Sequence, residues 1–152
     1  MTKRRSPRYY RLIGAIGTNR VVTRLHPVVY RATGGRLFSR VLGLTNVVLE
    51  TTGARTGRPR PVPVFAMEDG GSLIVIASNG GKGEAPAWAA NLRTHPVLPV
   101  RQARRVRTMS ARELAGAERE RAWAIATAAY PGYDDYAART PRPIAVFALE
   151  PA

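Results

Sequence analysis

The stretch LETTGARTGRPRPVPVFAM, residues 49–67, begins as an apolar strand, breaks into a turn rich in glycine and arginine, and resumes with alternating prolines and valines. A plain hairpin needs only one or two special turn residues. The three arginines of this turn, Arg55, Arg58 and Arg60, therefore need another explanation. Guanidinium groups bind carboxylates and phosphates through paired, charge-assisted hydrogen bonds. The turn is predicted to bind an anion.

The composition narrows the classes of function. The chain has 152 residues, enough for one domain with a real core, and its 24 Lys and Arg against 10 Asp and Glu give a net charge of +14. This charge favours a polyanionic partner: nucleic acid, an anionic membrane face or a polyanionic ligand. The absence of cysteine excludes disulfides and thiol catalysis. Neither histidine has an acidic companion nearby in sequence, so no metal site is predicted.

The N-terminal segment, residues 1–43, is predicted to be a basic amphipathic extension. Residues 1–49 carry ten Lys and Arg and no acid, and apolar residues recur at helical spacing among the arginines. Such a segment can lie on anionic lipid, or it can pack on the domain with its arginines in solvent. Neither a signal peptide nor an apolar run long enough to span a membrane is evident. The expected location is cytoplasmic, with a peripheral position on the inner face of the cell membrane if the first alternative holds.

Residues 44–152 are predicted to form one α+β domain. In Pro59–Glu68, prolines 59, 61 and 63 share one phase of the strand; since proline cannot donate to a ladder, this portion is expected at an edge or against a ligand. The remaining predicted elements are strands at Val47–Thr52, Ser72–Ser78, Val97–Arg101, from Arg104 to about Leu114 and at Pro143–Leu149, a helix between Pro86 and Pro96, and a helix from about Ala117 to Pro131-Gly132.

Three segments, taken in order, carry a more specific signal: TTGARTGRPRPVPV (51–64), DGGSLIVIASNGGKGEAPAWAANLRTHP (69–96) and AAYPGYDDYAARTPRPIAVF (128–147). Together they resemble the deazaflavin-dependent nitroreductase family of actinobacteria, which includes quinone reductases that use coenzyme F-420. The resemblance implies a split β-barrel like that of FMN-binding proteins, with about six mostly antiparallel strands and flanking helices. The cofactor would lie in a groove of this barrel.

The same resemblance implies which residues bind the cofactor. The Arg-rich turn would hold its phosphate and oligoglutamate tail, the proline-rich strand would line the edge of the deazaflavin, and two further segments would enclose the ring. Position by position, these residues are Ala54, Arg55, Thr56, Arg60, Pro61, Val62, Pro63, Val64, Phe65, Ile76, Ala77, Ser78, Asn79, Ala87, Trp88, Ala89, Ala90 and Asn91, together with Tyr133. Asn79 and Ala87 depart from the residues common in the family, which leaves the substrate range open.

Three tyrosines recur in YPGYDDY, residues 130–136. Pro131-Gly132 is expected to prevent one regular helix through all three, so Tyr130, Tyr133 and Tyr136 are predicted to line a loop wall. The resemblance places this wall on the substrate side, and aromatic packing under the last strand is the alternative. A phenol can stack on a planar acceptor and donate to a developing oxyanion. Ser78 and Tyr133 are the predicted catalytic donors.

The predicted function is therefore reduction of a quinone, nitroaromatic or activated alkene by hydride from reduced F-420. Three alternatives remain at this point: an FMN enzyme on the same barrel, a non-catalytic cofactor carrier, and a nucleic-acid binder. FMN has one phosphate and needs no extended cationic track, so the arginines favour F-420. No nucleic-acid-binding motif is present, and no nucleic-acid partner is expected.

Overall fold

The computed structural model describes residues 3–152. In chain order, its elements in that range are α1 (Pro7–Gly17), α2 (Arg20–Ala32), β1 (Arg40–Val41), β2 (Leu44–Thr52), β3 (Pro59–Asp69), β4 (Ser72–Ile76), a 3-10 turn (Asn79–Gly81), α3 (Ala87–Thr94), β5 (Val97–Gln102), β6 (Arg105–Glu113), α4 (Gly116–Ala129), α5 (Gly132–Arg139) and β7 (Val146–Pro151).

Six of the strands close into an antiparallel barrel. Their order is β2-β3-β4-β7-β6-β5, and β5 pairs back onto β2. The short β1 adds a seventh strand beside the start of β2. The predicted α+β split barrel is confirmed.

The barrel interior is an apolar core made by alternate residues of the strands. Because successive side chains of a strand point to opposite faces, Val47 and Leu49 of β2 point inward and are fully buried. Helix α3 adds Trp88 and Leu92 to this core. Asn91 of the same helix is also buried.

The outer faces of β4 and β7 form a second apolar layer. Ile74, Ile76 and Val146 point outward there and are covered by α4, α5 and the ring of Tyr10 from α1. The two layers explain why β4 reads as a continuous apolar run, since both of its faces are buried.

The prediction of a loop for the tyrosine segment is wrong. Tyr133 and Tyr136 lie on helix α5, Gly132–Arg139. Pro131 has φ −59° and precedes the first helical residue, a position where its fixed φ favours helix formation and its missing N–H costs nothing. The Pro-Gly pair therefore ends one helix and starts the next. The last strand is also shorter than expected and begins at Val146 rather than at Pro143.

The proline-rich half of β3 is open on one side. β3 pairs with β2 from Pro59 to Ala66, and it pairs with β4 only from Ala66 to Asp69. The prolines 59, 61 and 63 share one phase of the strand. N–H groups of alternate residues point to the same side of an antiparallel strand, so the missing donors fall on the open side. The predicted edge is confirmed.

Both N-terminal helices pack on the barrel. The Tyr30 hydroxyl of α2 is fully buried, donates to the Asn46 carbonyl at 3.0 Å and accepts from the Ala103 amide. Arg31 forms an ion pair with Glu50 of β2. In α1, a Cβ on Gly14 would lie 3.0 Å from the Cα of Gly80, so only glycine permits this close contact. The division into an N-terminal extension, residues 1–43, and a domain, residues 44–152, remains a prediction.

We expect Tyr30→Phe to lower the free energy of unfolding by about 1–3 kcal/mol, because the buried Ala103 amide and Asn46 carbonyl each lose a partner. Urea unfolding followed by tryptophan fluorescence measures this change. Tyr9→Phe is the matched control, since the Tyr9 side chain makes no hydrogen bond within residues 3–152. Equal effects of the two substitutions would show that the Tyr30 hydroxyl does not anchor α2.

Candidate active site

A groove of about 1250 Å³ lies between the barrel and the N-terminal helices. Its walls come from α1, α2, the loop before β2, the Arg-rich turn, the open half of β3, the Ser78–Gly80 turn, the start of α3 and the three tyrosines. Pockets for one small molecule usually have volumes of about 300–1,000 Å³. The groove therefore has room for a cofactor and a second molecule beside it.

The Arg-rich turn at one end of the groove satisfies most of its own backbone. The Gly53 amide donates to the Arg58 carbonyl, and the Gly57 amide donates to the Gly53 carbonyl. The Arg58 amide donates to the Thr56 hydroxyl. The amides of Arg55 and Thr56, by contrast, have no partner within residues 3–152. These two N–H groups remain available to an anion.

The guanidinium groups of this turn lack counter-ions. Arg55 and Arg60 line the groove and are exposed, and neither forms an ion pair within the described part of the chain. Arg58 does not line the groove. Two uncompensated cations beside two free amides make a site for phosphate or carboxylate.

The side chain of Asn91 holds this turn through hydrogen bonds. Its side-chain oxygen accepts from the Ala54 amide at 2.9 Å, and its nitrogen donates to the Thr51 hydroxyl at 3.1 Å. That hydroxyl in turn donates to the Arg60 carbonyl at 2.6 Å. Asn91 and Thr51 thus fix the backbone that carries Arg55 and Arg60, and the Asn91 amide is already used inside the protein.

Ser78 lies in the middle of the groove at the end of β4. Its hydroxyl makes no hydrogen bond within residues 3–152. The guanidinium of Arg142 donates to the Ala77 carbonyl at 3.3 Å and to the Ser78 carbonyl at 3.1 Å. Arg142 therefore holds the turn that presents Ser78. It was not singled out from the sequence, because nothing in the local pattern distinguishes it from the exposed arginines.

The three tyrosines at the other end of the groove have different roles. The Tyr130 and Tyr136 hydroxyls lie 2.9 Å apart, and Tyr136 donates to the Tyr10 carbonyl of α1 at 2.9 Å. The Tyr133 hydroxyl has no partner among residues 3–152, although the ring is buried. Burial raises the pKa of Tyr133, so its phenol is neutral near pH 7 and can donate a hydrogen bond.

Most of the cofactor and substrate residues predicted from sequence come together in this groove. Pro61, Ala77 and Ala89 do not line it. Ala77 and Ala89 are fully buried in the barrel core instead, because they lie on the inward phase of their elements. The predicted residues that do line the groove are Ala54, Arg55, Thr56, Arg60, Val62, Pro63, Val64, Phe65, Ile76, Ser78, Asn79, Ala87, Trp88, Ala90, Asn91, Tyr130, Tyr133 and Tyr136.

The wall formed by α1, α2 and the loop before β2 was not predicted from the sequence. It includes His26, whose Nε2 accepts from the Asn46 amide at 2.7 Å, and Gly14, which contacts Gly80. Desolvation lowers the pKa of His26, so the ring is neutral near pH 7. In the sequence, the only indication of this wall was the helical spacing of the apolar residues between positions 9 and 29. That spacing fits a groove wall and a membrane face equally well. None of the helices within residues 3–152 is long and apolar enough to cross a membrane.

Comparison with known proteins identifies the class of protein to which this chain belongs. Residues 22–151 match the F420H(2)-dependent quinone reductase family. An F420H(2)-dependent quinone reductase of Mycobacterium tuberculosis is 32% identical over 130 residues, which cover 83% of this chain and 87% of that protein.

Two solved structures are similar in fold and sequence. An F420-H2 dependent reductase is 40% identical, with a TM-score of 0.64, over 69% of this chain and 93% of its own. A second structure, described as a domain-swapped dimer, is 34% identical with a TM-score of 0.68, over 84% of this chain and 94% of its own. The chain therefore belongs to the F420H(2)-dependent quinone reductase family, and it is an oxidoreductase that depends on coenzyme F-420.

Proposed function

We propose that this enzyme binds reduced F-420 along the groove and reduces a quinone placed at the tyrosine end. The observation that carries the proposal is that the two ends of the groove differ in chemistry. Uncompensated Arg55 and Arg60 lie at one end, and the free hydroxyl of Tyr133 lies at the other. A molecule with an anionic tail and a planar redox-active ring matches this arrangement.

The residues present fit the cofactor that the family implies. The amides of Arg55 and Thr56 and the guanidiniums of Arg55 and Arg60 would hold the phosphate and the oligoglutamate tail. The open half of β3, with Pro63 and Phe65, and the turn at Ser78 would lie against the ring. When bound and reduced, the deazaflavin supplies a hydride.

The tyrosine end would orient the acceptor and stabilise charge on it. Reduction of a quinone to a quinol needs one hydride and one proton, and negative charge develops on a carbonyl oxygen before the proton arrives. The neutral hydroxyls of Tyr133 and Ser78 line the groove and make no hydrogen bond within residues 3–152. Donors aimed at a developing oxyanion lower the barrier, and water supplies the final proton. Nitroaromatics and activated alkenes develop comparable charge, so they remain predicted acceptors.

The alternative functions are less well supported. The relatives are named for F-420, and they give no support to FMN as the cofactor. The family is one of enzymes, so a carrier without turnover is excluded.

Arg55→Ala and Arg60→Ala should each weaken F-420 binding by about 1–3 kcal/mol, the usual loss when a hydrogen bond to a charged group is removed. Deazaflavin fluorescence titration measures the affinity, which should fall with rising salt because the site is exposed. Arg58→Ala is the matched control, since Arg58 lies in the same turn but not on the groove. Equal losses for all three variants, or equal affinities of the wild type for F-420 and FMN, would contradict the proposed clamp.

Tyr133→Phe should lower kcat for menadione, a tailless naphthoquinone, while the affinity for F-420 stays the same. The reason is that the substitution removes only a hydroxyl that makes no hydrogen bond within residues 3–152. Tyr136→Phe provides the contrast, because that hydroxyl holds the Tyr10 carbonyl and its loss should reduce stability. Unchanged turnover of Tyr133→Phe with every acceptor would assign the ring to packing alone.

We further propose that the N-terminal helices dock the enzyme on an anionic membrane surface, where long-chain quinones reside. Arg8 and Arg11 of α1 and Arg24 of α2 are exposed and form no ion pair within residues 3–152, and exposed apolar side chains lie among them. Each basic residue near such a surface contributes about 1 kcal/mol of attraction. Several together suffice for reversible peripheral binding.

Arg11→Gln with Arg24→Gln should reduce co-sedimentation of the full-length protein with vesicles of anionic phospholipid. Binding of the wild type should also weaken in high salt. Arg93→Gln with Arg121→Gln is the matched control, because it removes the same charge from α3 and α4. If both double variants lose the same fraction of binding, the attraction follows net charge alone and the docking face is not on α1 and α2.

A further inference from the structure

The loop that follows β4, residues 77–82, is held by side chains of the segment between α5 and β7. Its carbonyls at positions 77, 78, 80 and 82 accept hydrogen bonds of 3.1–3.3 Å from that segment. The donors are the side chains of Arg139, Thr140 and Arg142. These four carbonyls therefore face residues 139–142.

The backbone of this loop is one that needs such support. Asn79, Gly80 and Gly81 follow one another with φ of 48°, 63° and 79°, in the left-handed region that residues other than glycine rarely adopt. A conformation of this kind persists where the surrounding structure imposes it. The hydrogen bonds from residues 139–142 supply that constraint.

The peptide units held by Arg142 carry free amides on their opposite side. Arg142 donates to the carbonyls of Ala77 and Ser78, and both peptide units are trans. In a planar trans peptide the carbonyl and the following N–H point in opposite directions, so the amides of Ser78 and Asn79 point away from the guanidinium. Neither amide has a partner within residues 3–152. Ser78 and Asn79 line the groove, whereas Arg142 does not.

Arg142 also places a positive charge behind these amides. It forms no ion pair within residues 3–152, and its Nε is buried there without a partner. Desolvation lowers the pKa of Arg142, but a guanidinium stays charged in proteins. A charge that attracts a peptide carbonyl polarises the N–H at the other end of the same unit. Both amides therefore become stronger hydrogen-bond donors.

We propose that Arg142 is a positioning residue for the cofactor: through two carbonyls it turns the amides of Ser78 and Asn79 toward an acceptor atom at the edge of the deazaflavin ring. This inference rests on the proposed function, and it adds a residue outside the groove to those that orient the ring. The Arg-rich turn would hold the anionic tail, and the loop would set the orientation of the ring. Hydride transfer depends on that orientation.

The test follows the amide resonances of Ser78 and Asn79 by NMR in the isotope-labelled full-length protein as F-420 is added. In the wild type, both should move downfield and exchange more slowly with solvent, because each gains an acceptor. Arg142→Met removes the charge and the donors, so neither amide should respond, and the affinity for F-420 should fall by about tenfold. Arg142→Lys keeps the charge but not the planar fork, and it should restore part of both effects.

Arg119 offers a matched control. Like Arg142 it is half-buried and donates to a main-chain carbonyl, that of Ile144 at 2.6 Å, but it neither lines the groove nor bonds to residues 77–82. Arg119→Met should lower the thermal midpoint and leave the responses of the two amides as in the wild type. Equal loss of these responses in Arg119→Met and Arg142→Met would reveal a general effect of stability and overturn the positioning role.

A second readout needs no cofactor. Arg142→Met should move the carbonyl carbon resonances of Ala77 and Ser78, because each carbonyl loses a charge-assisted hydrogen bond. Arg119→Met should leave both in place. Unmoved resonances in Arg142→Met would mean that the guanidinium does not hold these carbonyls, and the inference would be overturned.

The amides of Arg55 and Thr56 separate this inference from the proposed function. If F-420 shifts these two but not those of Ser78 and Asn79, the cofactor binds at the Arg-rich turn and only the role of Arg142 is overturned. If F-420 shifts neither pair, the proposed binding mode fails together with the inference.

Discussion

The architecture depends on one constraint, the inability of the prolines in β3 to donate hydrogen bonds toward β4. Because β3 pairs with β2 from Pro59 to Ala66 and with β4 only beyond Phe65, the barrel is split along the proline-rich half of this strand. The split exposes a strand edge without N–H donors at positions 59, 61 and 63. Such an edge cannot recruit another strand in register, but it can lie against a flat, largely apolar ring. The groove exists because this edge stays open.

The features that followed from sequence are those set by local rules. Alternation of apolar residues located the strands, and Pro86 and Pro96 bounded α3. The arginine turn could be recognised because three guanidiniums so close together have no role in an ordinary hairpin. The hydrogen bonds that hold this turn could not be predicted in the same way. The side chain of Asn91 reaches the turn across 37 residues of sequence, and no local pattern reports that contact.

The same limit explains the wrong loop prediction for the tyrosines and the groove wall that was not predicted. Pro131-Gly132 ends α4 as expected, but a proline is equally compatible with the start of a helix, and only the packing of Tyr133 and Tyr136 against α1 and α4 selects that outcome. The N-terminal helices show the limit more clearly. The apolar residues of these helices partly pack on the barrel and partly line the groove. Helix α1 is positioned by the close contact between Gly14 and Gly80. Two small residues far apart in sequence carry no periodic signal.

The tyrosine end couples the wall of the groove to its chemistry. The Tyr136 hydroxyl donates a hydrogen bond to the Tyr10 carbonyl of α1, and the Tyr130 hydroxyl is hydrogen-bonded to that of Tyr136. These bonds leave Tyr133 as the free phenol of the cluster while fixing the helix that faces it. Since burial raises the pKa of all three hydroxyls, the network stays protonated and neutral across physiological pH. The N-terminal segment that forms one wall of the groove is therefore held by the same tyrosine cluster that carries the proposed donor to the acceptor.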